Sequence, residues 1–250
     1  MKRLLDVVLA LVLSAAVLAQ SREGVDVHGC TVSIDTLRPA VRLIFSADSM
    51  FEGGPFALDV LAEKGARASF FFTGNFLRDS ANRAVIERVR ADGHYLGPHG
   101  DRHILLADWD AARTPLVSVD SMLADWDANY GELARFGVVR DRARLVLPSF
   151  EWCNAAQADA MRAAGLVPVN IIPGVETYRD YTTPDMPDYR TSEYMLRQLF
   201  DYEHRCGLNG AVMIIHLGTQ PARTDKFYRY LPVIIDTLAA RGYNIDRVDR

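Results

Sequence analysis

Short apolar runs alternate with amphipathic segments along most of the chain. The runs are rich in Val, Ile and Phe, a composition typical of strands that are buried on both faces of a parallel sheet. They lie at residues 41–46, 68–73, 94–97, 144–147, 167–172, 211–216 and 243–248. Apolar residues at helical spacing predict helices at residues 55–64, 80–91, 117–136, 155–164, 192–205 and 226–241. The alternation predicts one α/β domain with a parallel sheet, and it fits an open doubly wound sheet as well as a closed barrel.

The first 19 residues have the pattern of a secretory signal peptide. Lys2 and Arg3 precede an uncharged apolar run that ends at Leu18, and Ala19 completes a small-residue cleavage site before Gln20. The run is too short for a comfortable membrane span of about 20 residues, although an uncleaved anchor is the alternative. We expect cleavage, export to the periplasm or the exterior, and no stable membrane anchor in the mature protein.

The composition of the chain argues against several classes of protein. Of its 250 residues, 49% are hydrophobic and 10% aromatic, which is too apolar for a disordered chain. The formal net charge is -4, whereas a protein that binds nucleic acid normally carries a basic surplus. We therefore expect a globular domain that does not bind nucleic acid.

The three cysteines, Cys30, Cys153 and Cys206, have no metal-ligand spacing such as C-x₂-C. A cysteine zinc site is therefore not expected. Export would place the thiols in an oxidising compartment, where one disulfide and one free thiol could form. The sequence leaves the pairing open.

Two histidines follow the predicted strand at residues 94–97. His99 and His103 are four residues apart, a spacing at which two imidazoles can bind one metal ion. Asp48 follows the first predicted strand and would complete a set of two histidines and one carboxylate at the edge where α/β folds build their sites. The alternative interpretation is a pair of surface histidines and an aspartate that caps a turn before Gly53.

Three further residues stand at the carboxyl ends of predicted strands. His216 ends the most hydrophobic strand, where an imidazole suits proton transfer near neutral pH. A core histidine bonded to the backbone fits that position equally. Glu151 and Trp152 follow the strand at residues 144–147 and would bring a carboxylate and an aromatic ring to the same edge.

Together these residues resemble the polysaccharide deacetylase family, the NodB-homology domain of carbohydrate esterases. The resemblance is carried by an acidic residue after the first strand, H-x₃-H after a later strand, and a hydrophobic strand that ends in histidine. It is close between Lys64 and His103, in KGARASFFFTGNFLRD…VIERVRADGHYLGPHGDRH, and it extends over about residues 41–248. The fold that it implies is a distorted, incomplete (β/α) barrel with a metal at the carboxyl ends of the strands.

The resemblance also implies roles for individual residues. Asp48, His99 and His103 would hold a divalent metal, with Zn²⁺ as the expected ion, and His216 would be the general acid. Residues 1–19 would be the signal peptide, residues 20–40 an N-terminal segment, and residues 41–250 the catalytic domain.

The chain departs from the family at two motifs. The family's first motif is usually T-F-D-D, in which the first Asp is the general base and the second a metal ligand. Here Ser46 occupies the usual base position, and the ligand is displaced by one residue to Asp48. The family's R-P-P-Y motif is replaced by Leu147-Pro148-Ser149-Phe150, which lacks the arginine that steadies the base.

Glu151 is the candidate replacement for the missing base. Asp101 and Glu52 are weaker candidates, and Asp101 could instead orient a histidine ligand. The choice among these carboxylates cannot be made from spacing.

The function implied by the resemblance is metal-dependent removal of acetyl groups from a polysaccharide or oligosaccharide. A metal-activated water would attack the acetyl carbonyl, a carboxylate would take its proton, and His216 would protonate the leaving group. Two other functions stay open. One is a glycan-binding pseudo-enzyme on the same barrel, and the other is a metal-dependent hydrolase of a different C–N or ester bond.

Aromatic residues near the predicted site are candidates for sugar stacking. They are Trp152 and Tyr181, with Tyr178 and Tyr189 in the same predicted loop at residues 173–191. A loop of this length inside a compact domain is more often functional than idle. The aromatic rings could instead serve only to pack the loop.

Overall fold

The computed structural model describes residues 23–250, so the predicted signal peptide lies outside the described residues. The described strands are β1 (Gly24–Val25), β2 (Thr31–Ser33), β3 (Ala40–Ala47), β4 (Ser69–Phe72), β5 (Tyr95–Pro98), β6 (Leu145–Val146), β7 (Val167–Pro168), β8 (Val212–Ile214) and β9 (Asn244–Asp246). The α-helices are α1 (Gly54–Glu63), α2 (Gly74–Arg78), α3 (Arg83–Ala91), α4 (Val119–Ala134), α5 (Ala155–Ala163), α6 (Ser192–Cys206) and α7 (Leu231–Ala240).

A five-stranded parallel sheet forms the centre of the molecule. Its order is β5-β4-β3-β8, and β9 pairs with the first residues of β3. All eight residues of β3 are buried, as the continuous apolar run predicted. The predicted parallel α/β architecture is confirmed.

Beyond this sheet, a backbone hydrogen bond and isolated β-bridges connect the remaining strands. The Leu147 N–H donates to the Pro98 carbonyl across the gap between β5 and the β6–β7 ribbon, at 3.1 Å. Thr31 then bridges to Val169, and Ser33 bridges to Ala211 just before β8. The strands therefore curve around toward β8 without forming a continuous closed sheet among the described residues. This is the distorted, incomplete barrel that the resemblance implied.

The observed element boundaries differ from the predicted ones where the elements are short. The strand predicted at residues 167–172 shrinks to β7, and the helix predicted at residues 226–241 becomes a 3₁₀ turn, Phe227–Tyr230, followed by α7. The loop predicted at residues 173–191 contains a second 3₁₀ turn, Thr177–Tyr181. Strands β1 and β2 were not predicted, because two or three residues carry no readable alternation.

The carboxyl ends of β3, β4, β5 and β8 meet at one edge of the sheet. Parallel pairing sets Ala47 beside Phe72 and Phe72 beside Pro98, so the segments that follow these residues emerge together. This edge is where open α/β sheets place their ligands. Within the described part of the chain, no helix has the length and apolar content needed to cross a membrane.

Candidate active site

A cleft of about 470 Å³ opens at the carboxyl edge of the sheet. The residues that line it come from the ends of β3, β5, β6 and β8 and from the segments beyond them. The polar ones are Ser46, Asp48, Ser49, His99, His103, Glu151, Tyr181 and His216. Met50, Trp109 and Phe150 are the large apolar members of the lining. The prediction that Asp48, His99, His103, Glu151 and His216 share one edge thus agrees with the geometry, while their roles remain predictions.

His99 is buried and held in one tautomer. Its Nδ1 lies 2.9 Å from the Leu147 carbonyl oxygen, which can only accept, so Nδ1 carries the proton and Nε2 keeps a lone pair. Nε2 lies 3.8 Å from Oε1 of Glu151. Burial, and then the neighbouring His103, hold the pKa of His99 well below its usual value. His99 is therefore a neutral imidazole with a free nitrogen toward Glu151.

His103 lies beside His99 in the same cleft. The two ring centroids are 4.9 Å apart, and Phe150 stacks on His103 at 4.2 Å. His103 has a φ of 53°, a left-handed backbone that few non-glycine residues adopt. Burial lowers the pKa of His103, although the charge of Asp48 opposes that shift. The second imidazole is thus held at a strained turn within reach of the first.

Asp48 reaches the cleft from the end of β3. Its Oδ1 accepts hydrogen bonds from Thr73 Oγ1 at 2.9 Å and from Asn75 Nδ2 at 3.0 Å. Thr73 also caps α2 by accepting from the Phe76 N–H. The start of α2 therefore fixes the position of this carboxylate.

The donor atoms of Asp48, His99 and His103 suit a divalent metal chemically. One imidazole nitrogen is shown to be free of a proton, and a carboxylate and a second imidazole line the same cleft. Among residues 23–250, however, no three His, Cys, Asp or Glu side chains are already gathered as a metal site. The residue types fit the expected ion, and the three side chains would have to close around it.

His216 is held by Asp180, a residue that the sequence did not single out. The His216 Nδ1 lies 2.5 Å from Asp180 Oδ1, and the His216 backbone N–H donates to Asp180 Oδ2 at 2.8 Å. Burial by itself would lower the pKa of His216, but the charge and hydrogen bond of Asp180, together with Glu151, raise it to about 9. Because Asp180 is 1% exposed and the His216 side chain 16%, water screens this pair only weakly. His216 is a protonated imidazole at neutral pH.

Glu151 projects into the cleft from a strained turn. Phe150 and Glu151 have φ values of 61° and 52°, so two consecutive non-glycine residues are left-handed. Such conformations cost about 1–3 kcal/mol each and persist where the surroundings enforce them. Here Asn170 Nδ2 donates to the Glu151 carbonyl at 2.9 Å. Burial raises the pKa of Glu151 to about 7, and the nearby His216 opposes that rise.

The aromatic residues on the cleft wall differ in part from those predicted. Tyr181 lines the cleft and meets the His216 ring edge-on at 5.9 Å. Trp152 does not line the cleft, because its ring is covered by the Arg113 guanidinium at 3.4 Å and its Nε1 donates to the Asp108 carbonyl. Trp109, 5.0 Å from Trp152 and 58% exposed, presents its ring to the cleft instead.

The two weaker candidates for the base lie outside the cleft lining. Asp101 Oδ1 accepts from Arg78 at 2.6 Å, and no hydrogen bond joins its carboxylate to a histidine in the described chain. Glu52 accepts from Lys226 at 2.9 Å and from the Thr219 N–H at 3.2 Å. The geometry favours Glu151 over both.

Two buried polar residues of α4 hold the backbone of the turn between His99 and His103, here called the histidine turn. Asn129 Oδ1 accepts from the His99 N–H at 2.9 Å, and Asp125 Oδ2 accepts from the Asp101 N–H at 2.7 Å. Ser149 Oγ donates to the His99 carbonyl at 2.8 Å from the opposite side. The signal in the sequence was a pair of polar residues four apart on an apolar helix face, which amphipathicity alone does not explain.

Comparison with known proteins finds similarity over part of the chain. Residues 38–146 match the family model for polysaccharide deacetylase. The matched region contains Asp48, His99 and His103 and ends before Glu151, Asp180 and His216. A chitin deacetylase from Pestalotiopsis sp is 40% identical over 68 residues, and one from Colletotrichum lindemuthianum is 33% identical over 76 residues. The chain spans only 23% and 31% of the length of these relatives.

The fold is shared more widely than the sequence. A CE4 family pseudoenzyme from Bacillus anthracis superposes with a TM-score of 0.68 at 14% identity, covering 89% of this chain and 68% of that one. A peptidoglycan N-acetylglucosamine deacetylase superposes with a TM-score of 0.65 at 17% identity, covering 84% and 86%. The family match over residues 38–146 supports the resemblance to the polysaccharide deacetylase family, and the chain has the fold of the CE4 family structures.

Proposed function

We propose that this protein is an exported, metal-dependent hydrolase that removes acetyl groups from a polysaccharide or oligosaccharide. The observation that carries the proposal is the placement of Glu151 and His216 in the same cleft as Asp48, His99 and His103. A carboxylate and a protonated imidazole facing one space are the pair that acid–base hydrolysis requires. The catalytic domain would span residues 41–250, with residues 20–40 as an N-terminal segment.

Asp48, His99 and His103 would hold the divalent metal, with Zn²⁺ as the expected ion. When bound, such an ion lowers the pKa of a bound water and polarises the acetyl carbonyl. The protein's own contribution to the site is the tautomer of His99, which the Leu147 carbonyl sets.

Glu151 would take the proton of the attacking water. Its Oε1 lies 3.8 Å from the free nitrogen of His99, so the carboxylate stands next to the proposed metal position. This placement supplies the base that Ser46 cannot supply at the family's usual position.

His216 would donate a proton to the departing amine or sugar oxygen. Asp180 accepts from Nδ1, which leaves Nε2 as the nitrogen that gives up its proton. Asp180 thereby acts as a positioning residue for the acid. Trp109 and Tyr181, both on the cleft wall, would contact the sugar ring, while Trp152 would support Trp109 from behind.

A glycan-binding pseudo-enzyme is the second candidate. It is favoured by Ser46 at the usual base position and by the likeness to a CE4 family pseudoenzyme. A mutant of that neighbour is described as having restored enzymatic activity, so loss of catalysis on this fold can be local.

Acetate release and glycan affinity, measured on the same samples, separate the two candidates. The panel would contain chitin fragments, peptidoglycan, acetylated xylan, pectin, and an acetylated amide and ester that contain no sugar, each with and without added zinc. The proposal predicts zinc-dependent acetate release from at least one glycan. Binding without release on every glycan would support the pseudo-enzyme. Release only from a substrate that contains no sugar would support a hydrolase of another C–N or ester bond.

A further inference from the structure

Cys30 and Cys153 meet in the interior although 123 residues separate them along the chain. Cys30 directly precedes β2, and Cys153 follows the turn that carries Glu151. Their sulfur atoms are 3.4 Å apart, and both side chains are 0% exposed. A disulfide bond of about 2 Å could close this gap with a small side-chain movement.

The surroundings of the pair do not suit a reactive thiolate or a metal site. The neighbouring Cys153 thiol, and then burial, raise the pKa of Cys30 far above its usual value. No third His, Cys, Asp or Glu joins the two sulfurs as a metal-binding group in the part of the chain that the structure describes. The chemistry left to two buried, adjacent thiols is oxidation to cystine.

The backbone around both cysteines is already fixed in this arrangement. Asp26 Oδ1 accepts from the Cys30 N–H at 2.9 Å, and Arg162 donates to the Gly29 carbonyl at 2.7 Å. On the other side, Arg113 donates to the Cys153 carbonyl at 2.6 Å. The two sulfurs are therefore held together by contacts that do not depend on a bond between them.

We propose that Cys30 and Cys153 form a disulfide that fastens the N-terminal segment to the wall of the cleft, with Cys206 left as a free thiol. During folding, before the two thiols are buried, each cysteine loses a proton, and the two electrons pass to an external disulfide oxidant of the glutathione type. A mixed disulfide forms first and releases one glutathione thiol. The second cysteine then attacks it and releases the other. The proposal does not depend on the proposed enzymatic activity.

The direct test is a peptide map of wild-type protein refolded with oxidised and reduced glutathione. After alkylation in denaturant and trypsin digestion without reductant, residues 23–42 and 145–162 should appear as one linked pair that separates on reduction. Only Cys206, in residues 206–223, should be alkylated. Three alkylated cysteines, or a linkage that includes Cys206, would overturn the proposal.

Thermal unfolding of variants supplies an independent measurement. Cys30→Ser, Cys153→Ser and the double variant should share one melting temperature, roughly 10 °C below oxidised wild type. A reductant should bring wild type to that value, and Cys206→Ser should leave the oxidised value unchanged. Additive losses in the double variant, unaffected by reductant, would mean that the cysteines only pack.

Discussion

At the scale of residues, the candidate site depends on partners that fix one proton or one lone pair each. Leu147 sets the tautomer of His99, and Asp180 sets the protonation of His216. Neither partner could be predicted, because a carbonyl carries no side-chain signal and Asp180 is 36 residues from the histidine that it holds. The histidines and Glu151 could be predicted, since each follows a strong apolar run at a strand end.

Replacing Asp180 should weaken His216 as the general acid and leave substrate binding in the cleft largely intact. Asp180→Asn removes the negative charge that keeps His216 protonated, so kcat should fall roughly 10²-fold while KM changes little. Steady-state acetate release at neutral pH measures both constants. Asp185→Asn is the matched control, because Asp185 is exposed on the same segment and contacts Thr183 rather than His216. A kcat within twofold of wild type would remove Asp180 from its positioning role.

Replacing His99 should abolish metal binding. His99→Ala removes the one cleft imidazole whose nitrogen is shown to be free, and it should leave less than one-tenth of the wild-type zinc by elemental analysis. His204→Ala, at an exposed position on α6, controls for loss of surface histidine. Unchanged zinc content in His99→Ala would exclude His99 as a ligand.

At the scale of elements, most strands and helices could be predicted, but the bounds of the short ones could not. β3, β4 and α4 follow their hydrophobic patterns closely, because burial of those patterns determines them. β6 and β7 have only two paired residues each, so pairing with neighbouring strands, rather than their own sequence pattern, determines where they begin and end. The role of α4 in the site could not be predicted either. Its buried Asp125 and Asn129 interrupt an apolar face and accept hydrogen bonds from the backbone of the histidine turn, which carries His99 and His103.

The α4 contact predicts an effect on metal affinity from a residue that touches no metal. Asn129→Ala removes one of the two acceptors of the buried His99 N–H, which also donates to the Phe72 carbonyl at 3.2 Å. The loss should cost about 1 kcal/mol of stability and weaken zinc binding roughly tenfold. Zinc titration and urea unfolding measure the two effects. Asp127→Ala, on the exposed face of the same helix, should change zinc affinity little. Equal affinities in both variants would limit Asn129 to a role in folding.

At the scale of the whole molecule, parallel topology explains why spacing alone could locate the cleft. Residues that follow β3, β5, β6 and β8 are far apart in the chain and converge because these strands run in the same direction. Topology does not determine which side chains line the wall of the cleft. Trp152 was predicted at the cleft but lies behind Trp109, because Arg113 and the Asp108 carbonyl occupy its polar and aromatic surfaces.

The buried His94 should make the fold sensitive to acid. Its Nδ1 accepts from the Ala68 N–H at 3.2 Å, and burial, followed by the charge of Arg67, lowers its pKa to about 4. The unfolded chain, with a histidine pKa near 6.5, takes up this proton first. Stability is therefore complete above about pH 6.5 and falls by at most about 3 kcal/mol as the pH drops toward 4.

Urea unfolding at pH 7 and pH 5 tests this dependence. His94→Asn keeps a side-chain acceptor near the Ala68 N–H but cannot take up the proton, so its stability should fall less between the two pH values. His204→Asn, at an exposed site, should retain the wild-type slope. If His94→Asn and wild type lose the same stability, the acid sensitivity arises elsewhere.

We propose that Glu151, in a cleft that also carries His216 and the proposed metal ligands, replaces the base missing at Ser46. Acetate release by Glu151→Gln and by wild type, with zinc content measured on the same samples, tests it most directly. Glu151→Gln should keep its zinc and lose roughly 10²-fold or more in kcat. Near-normal acetate release by Glu151→Gln would contradict it.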